Sequence, residues 1–187
     1  MKIFYTASFH GKAKYQPFYN MVLKAIRKNK VELISPEIGN YQTLLSPSDF
    51  RLFATSKLLH YQAIKKGIAW ADAAIIEISE ECFQLGHEAT LAIQNKKHVL
   101  CLSTNEDFSQ KISNRYFHGA RYSELNVEEI VTDFITRLKK HLYDLRFNCF
   151  LSGNQLEYLD QISTKMGVTK SDYIRQLIDS AASKSAK

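Results

Sequence analysis

Two stretches of this chain carry side chains whose types and spacing could do chemistry. The first is Leu85-Gly86-His87-Glu88-Ala89-Thr90-Leu91-Ala92, which follows the apolar run Ala73-Ala74-Ile75-Ile76-Glu77-Ile78. If the run is a buried strand and Gly86 opens a helix, Glu88 falls in the helix's first turn, where free backbone amides favour an ionised carboxylate. Such a group can act as a nucleophile or steady a developing positive charge. It can also do no more than complement the helix dipole. Gly86 would let backbone and ligand approach closely. The second stretch is Arg146-Phe147-Asn148-Cys149-Phe150-Leu151. Strand alternation turns Phe147, Cys149 and Leu151 one way and Arg146, Asn148 and Phe150 the other. Arg and Asn read the edges of guanine and adenine, and a Phe can touch a thymine methyl.

The elements that must position these groups are legible in the pattern. Strands are expected at Lys2–Ala7, Val31–Ile34, Ala73–Ile78 and His98–Leu102. Helices are expected over about 14–30, as one long helix over 50–70, and over 86–95 and 127–142, with a long loop from Ser35 to Ser48 between them. This alternation predicts an α/β fold with a doubly wound, mostly parallel sheet of Rossmann or flavodoxin-like type. Ligands in such sheets sit beyond the carboxyl ends of the strands, here the loops Ser8–Lys12 and Ser79–Glu88. Asp72 stands at a strand's start, a place for capping or orientation.

Trp70-Ala71-Asp72 through Ser79, then Gly86-His87-Glu88, then Lys96-Lys97-His98-Val99-Leu100-Cys101-Leu102, resembles the nucleoside 2-deoxyribosyltransferases and the related 2'-deoxynucleoside 5'-phosphate N-hydrolases. Those proteins show an Ala-Asp pair before the strand, Glu-(Ile/Val)-(Ser/Thr) at its end, a Gly-x-Glu helix start and a comparable next strand. The opening Phe4-Tyr5-Thr6-Ala7-Ser8-Phe9-His10-Gly11 resembles their first strand and loop, and the likeness covers residues 2–140. It implies cleavage or transfer at an N-glycosidic bond with Glu88 as nucleophile. Tyr5, Ser8, His10, Gly11, Asp72, Cys82, Gly86 and Asn114 are the implied substrate contacts, with Ser113 the alternative to Asn114. The chain departs from the pattern at Ile64, where the family is acidic, at Cys82, where it has serine, and at Gln84-Leu85-Gly86, where it has Gly-Val-Gly.

The tail from Arg146 to Arg175 resembles the ribbon-helix-helix family of dimeric DNA-binding proteins: strand, helix, the turn Gly167-Val168-Thr169, helix. The resemblance implies that two chains pair their strands and present Arg146, Asn148 and Phe150 to the major groove, with Thr169 and Lys170 at a phosphate. The expected division is therefore residues 1–143 for the α/β domain, 144–182 for a small dimerising module and 183–187 for a flexible tail. The alternatives are a DNA-binding regulator whose α/β domain senses a nucleotide-like ligand, a module that only dimerises, and an effector docked through its tail to a protein partner in a defence or toxin system.

Composition sets the frame. The chain has 187 residues, a net charge of +6, seven glycines and three prolines, which argues for order nearly throughout. From Asp144 onward six basic side chains face five acidic ones, so the surplus lies in the α/β part and is no argument for DNA binding. Cys82, Cys101 and Cys149 form no Cys-x-x-Cys pair and the six histidines show no metal spacing, so no disulfide, metal or cofactor is expected. No apolar run is long enough to span a bilayer and no secretory leader is evident. A cytoplasmic homodimer, or a higher even oligomer, taking a nucleoside or nucleotide is the expectation, with no membrane partner.

Overall fold

Three strands owe their position to being apolar on both faces: β1 (Lys2–Ala7), β3 (Ala73–Glu77) and β4 (His98–Ser103) form the centre of a sheet covered on each side. With β2 (Glu32–Ile34) and β5 (Phe117–Arg121) they make five parallel strands in the order β2-β1-β3-β4-β5. Tyr5 lies beside Ile75, Ile75 beside Leu100, and Leu100 beside His118. This computed structural model describes residues 1–53, 55–141 and 148–185, and the chain divides into two units, Met1–Leu142 and Tyr143–Lys187. Among the described residues no helix is long and apolar enough to cross a membrane.

The two-residue period of the strands sorts the core into two layers. Ile3, Tyr5, Ile75, Leu100 and Leu102 face α1 (Lys12–Lys28) and α5 (Val127–His141), meeting Val22, Ile26, Val131 and Phe134. Phe4, Ala74, Ile76, Val99 and Cys101 face α3 (Ser56–Trp70) and α4 (Phe83–Gln94), meeting Ile64, Ile68, Leu85 and Ala92. The expected doubly wound sheet is therefore present.

Three expectations are corrected. The single helix over 50–70 is two: α2 (Pro47–Leu52), opened by a Ser46/Asp49 capping box, and α3, capped by the Thr55 hydroxyl. Apolar spacing carried the expectation across the gap, but Phe50, Leu52 and Leu58 are exposed and supply no continuous buried face. β5 was not foreseen, because Phe117-His118-Gly119-Ala120-Arg121 lacks an apolar run. It is an edge strand, and Gly119 there lets the turn at Phe108–Gln110 lie on it, since a Cβ would stand 2.7 Å from the Phe108 carbonyl carbon. The loop from Ser35 is ordered into two short 3-10 helices, Pro36–Ile38 and Asn40–Leu44, joined by Gly39 at φ +73. Asn40 staples it, accepting from the Ser35 amide (2.8 Å) and donating to the Leu33 carbonyl (2.8 Å).

Helix α3 reaches the sheet through Gly67. A methyl group there would stand 2.6 Å from Phe4 Cδ2 in the core. Gly67→Ala is expected to lever α3 off β1 at a cost of about 2 kcal/mol, read as a lower urea midpoint at unchanged slope.

In the second unit, α6 (Gly153–Met166) and α7 (Lys170–Ser185) bear out the helix, glycine turn, helix pattern. Ser152 and Gln155 cap α6 reciprocally, and Gly167 ends it at φ +65. The strand expected at Arg146–Leu151 is absent where it can be seen: residues 148–151 have no regular structure, and Arg146 and Phe147 lie outside the described residues. A single strand has no neighbour to complete its ladder. Helix α7 continues to Ser185, into the expected tail, whose last two residues lie outside the described ones.

Candidate functional site

In the sheet order seen here the topological switch falls between β1 and β3, and a crevice opens at their carboxyl ends. Its smaller lobe, about 340 Å³, is lined by Thr6 of β1, by Ser8 and His10 of the loop after it, by Lys12 at the start of α1, by Glu37 and Tyr41 from the stapled loop, and by Cys82, Gln84 and Leu85. Its larger lobe, about 640 Å³, lies between Lys57, His60, Tyr61 and Ile64 of α3 and Phe83, Gln84, His87 and Glu88 of α4. His60, Ile64 and Gln84 border both.

Glu88 lines the larger lobe and is 1% exposed. Helix α4 begins at Phe83, not Gly86, with Cys82 as its extended N-cap. Glu88 is therefore in the second turn, beyond the strong influence of the free amides, and the expected reason for an ionised carboxylate does not apply. Burial instead pushes its pKa up to about 7, against hydrogen bonds from Gln84 and Thr6 that favour the charged form. Gln84 Nε2 donates to Oε1 (2.9 Å), whereas Oε2 has no protein partner. One oxygen is held and the other is buried without a protein partner, in a group whose pKa is raised to where catalytic acids and nucleophiles work.

Around it stand residues that were not among the expected substrate contacts. His60 Nδ1 lies 2.9 Å from Tyr41 Oη, and His60 Nε2 lies 3.2 Å from Gln84 Nε2. His87 stacks on Phe83 (centroids 6.2 Å, planes 7° apart) and on Tyr61 (5.8 Å, 26°), making an aromatic shelf beside Glu88. The available signal was periodicity: Lys57, His60 and Ile64 share one face of α3, and Gln84 and Glu88 are four apart on α4. Without the true start of α4, the second pair had no frame.

The sequence-derived candidates divide. Ser8, His10 and Cys82 line the smaller lobe, and Ser8 Oγ also accepts from the Gly11 amide (3.4 Å). Tyr5 points to the opposite layer, donating to the Tyr19 carbonyl (3.1 Å). Gly11 is packed under α1, where a Cβ would stand 2.6 Å from the Glu80 Cβ, and does not border the crevice. Asp72 sits at the amino end of β3, accepting from the Lys2 amide (2.7 Å). Asn114 is exposed on the turn into β5, accepting from the Tyr116 amide (2.9 Å). Both are at the far end of the sheet. Ile64 puts an apolar wall where the resemblance has an acid.

Gly86 has open space at its Cβ position and an ordinary helical backbone. Gly86→Ala is expected to stabilise α4 by up to about 1 kcal/mol and to leave turnover within twofold, checked by thermal melts and by base release.

A second buried acid lies on the other sheet face. Glu77 Oε1 accepts from the Ser79 hydroxyl and from Tyr122 Oη (2.9 Å), Oε2 has no protein partner, and burial pushes its pKa to about 7. Ser79 Oγ in turn accepts from the Thr104 amide (2.8 Å), and Asn105 Nδ2 donates to the Ser79 carbonyl (2.8 Å). This network ties the segment leading into α4 to the end of β4.

Of the residues expected at DNA, Asn148 and Phe150 are exposed and Arg146 lies outside the described residues. Thr169 caps α7 through Asp172, and Lys170 pairs with Asp160 (2.5 Å). Among the described residues no cluster of three or more His, Cys, Asp or Glu could hold a metal ion.

No family model matches the chain, and no curated protein matches it. Among solved structures, the 2-deoxyribosyltransferase from the psychrotolerant bacterium Bacillus psychrosaccharolyticus is similar at 18% identity and a TM-score of 0.49, over 68% of this chain and 90% of that one. Smu.1420 from Streptococcus mutans UA159 is similar at 10% identity and a TM-score of 0.35, over 71% and 100%. Neither likeness is close enough to carry an argument, so the parallel sheet and the crevice must carry it themselves.

Proposed function

We propose that the first unit breaks, or transfers across, the N-glycosidic bond of a nucleoside or nucleotide, with Glu88 as nucleophile. One observation carries the reading: a buried carboxylate at the sheet's switch point has one oxygen held by Gln84 and the other free of protein partners. The order of motifs around Asp72, Glu77 and Glu88 supports it. Glu88 attacks the anomeric carbon, the C–N bond breaks with its electron pair going to the base nitrogen, and the base takes up a proton. The glycosyl ester then passes to water, which loses a proton, or to a second base. The aromatic shelf of Phe83, His87 and Tyr61 offers a planar base a surface to stack on. The test is chromatography of free base after incubation with nucleosides, nucleoside 5'-monophosphates and NAD. Release that disappears in Glu88→Ala is expected; no release, or equal release from the variant, sinks the reading. Ligand binding without release would favour the sensing alternative.

The second unit we assign to pairing with another copy in the ribbon-helix-helix manner, with Arg146, Asn148, Phe150, Thr169 and Lys170 as the DNA-facing set. Leu156, Leu177 and Ile178 on α6 and α7 are exposed within the single chain, apolar surface that a second copy would cover. Sedimentation of the full chain at micromolar concentration should give a dimer, and a low-salt mobility shift then separates DNA binding from dimerisation alone. A monomer overturns the pairing and leaves docking to a different protein as the tail's role.

A further inference from the structure

The Gln84 side chain touches two groups at once. Its amide nitrogen can only donate, and that one nitrogen reaches both Glu88 Oε1 (2.9 Å) and His60 Nε2 (3.2 Å). His60 Nε2 must therefore accept, which puts the ring proton on Nδ1, where it is donated to Tyr41 Oη (2.9 Å). With Glu88 ionised, turning the amide over would aim a carbonyl oxygen at the carboxylate, so beside a charged Glu88 and a neutral His60 this is the orientation that satisfies both contacts. Burial keeps His60 neutral, holding its pKa below the ordinary value. Tyr41 Oη is fixed in its turn, accepting from Gln42 Nε2 (3.2 Å) on the loop that Asn40 staples to β2.

We infer that Tyr41, His60 and Gln84 form a positioning relay that orients Glu88 and sets its ionisation, Gln84 acting directly and the other two through it. The relay deepens the proposed function, on which its catalytic meaning rests, but its electrostatic content does not depend on that reading. Gln84 is exposed, so its effect is on the carboxylate rather than on the core. Gln84→Met keeps the length of the side chain and removes the donor, leaving Thr6 as the remaining group that favours the charged form. The other titratable groups around the crevice are Lys57, Tyr61 and His87 beside Glu88, and His10, Lys12, Glu37 and Cys82 in the adjoining lobe. None of them donates to Oε1.

The test is a carbon-13 carboxyl titration of Glu88, assigned by its loss in Glu88→Gln, in wild type, Gln84→Met and Tyr41→Phe. In Gln84→Met the midpoint should rise by about one pH unit. The acid limb of the kcat profile should follow, cutting kcat at pH 7 by about fivefold with KM unchanged. Tyr41→Phe should shift the midpoint the same way by less. An unmoved Glu88 midpoint in folded Gln84→Met overturns the relay. A wild type that releases no base while its Glu88 midpoint moves as described overturns the proposed function and leaves the relay standing.

Discussion

Replacing Glu88 by glutamine is expected to lower base release by about a thousandfold or more and, at the same time, to make the protein harder to unfold above neutral pH. The two effects have one cause. The carboxyl is 1% exposed and holds its proton to about pH 7 in the fold, whereas its ordinary value is 4.5. Between those values the folded chain binds more protons than the unfolded one, so this group's contribution to stability falls as pH rises through the window and stays low above it. The span corresponds to an order of 3 kcal/mol for a fully buried group. Glutamine keeps the acceptor for Gln84 and carries no charge. Urea melts at pH 8.5 should show the variant more stable by about 2 kcal/mol, and melts at pH 4.5 should show the two alike. A Glu88 that merely braces α4 predicts the reverse: lost stability at every pH and no catalytic role to lose.

Glu77→Gln should reproduce the stability gain without the loss of activity. Glu77 is raised to about 7 by burial, as Glu88 is, and its Oε1 serves Ser79 and Tyr122, a role an amide oxygen can keep. Above pH 7 the variant is expected to gain about 2 kcal/mol, and below pH 4.5 nothing, with turnover within a few-fold because Glu77 faces α1 and α5 rather than the crevice. The comparison must be made as a difference between variant and wild type. His118, held down to about 4 chiefly by burial and then by His98 and Arg137, acts in the opposite sense, since its contribution is lost as pH falls from 6.5. On the acid side Asp49, held well below the usual carboxylate range by Lys66 and Ser46, loses its contribution as it protonates. A Glu77→Gln difference curve that is flat with pH would show that the carboxyl is not the buried proton-holder its surroundings imply.

The legibility of the fold follows burial. β1, β3 and β4 were visible because a strand covered on both faces must be apolar throughout, and Ile3-Phe4-Tyr5, Ala73 to Ile76 and Val99 to Leu102 are. β5 was invisible because an edge strand packed against a turn can be built from His118, Gly119 and Arg121, a composition no strand pattern recognises. The caps at Ser46, Ser152 and Thr169 are local chemistry, each closed within three residues, and the turn at Gly167 was legible as the break between two helices.

The candidate site followed the same division. Glu88, the two loops and the crevice at the strand ends were determined by sequence, because the alternation of strand and helix fixes where parallel strands end and a Gly-x-Glu segment after a buried strand lies there. The protonation behaviour of Glu88 was not. Its cause was expected to be a helix terminus, and the start of α4 at Phe83 replaced that with burial, a property of everything packed around the side chain. Likewise Tyr41, His60 and Gln84 come from a stapled loop and two helices, separated by 19 and 24 residues, and no local spacing links them. Order along the chain was enough to say where a ligand would sit. Which hydrogen bonds hold the Glu88 carboxyl, and at what pH it ionises, depended on side chains that only the folded sheet brings within 3 to 4 Å of one another.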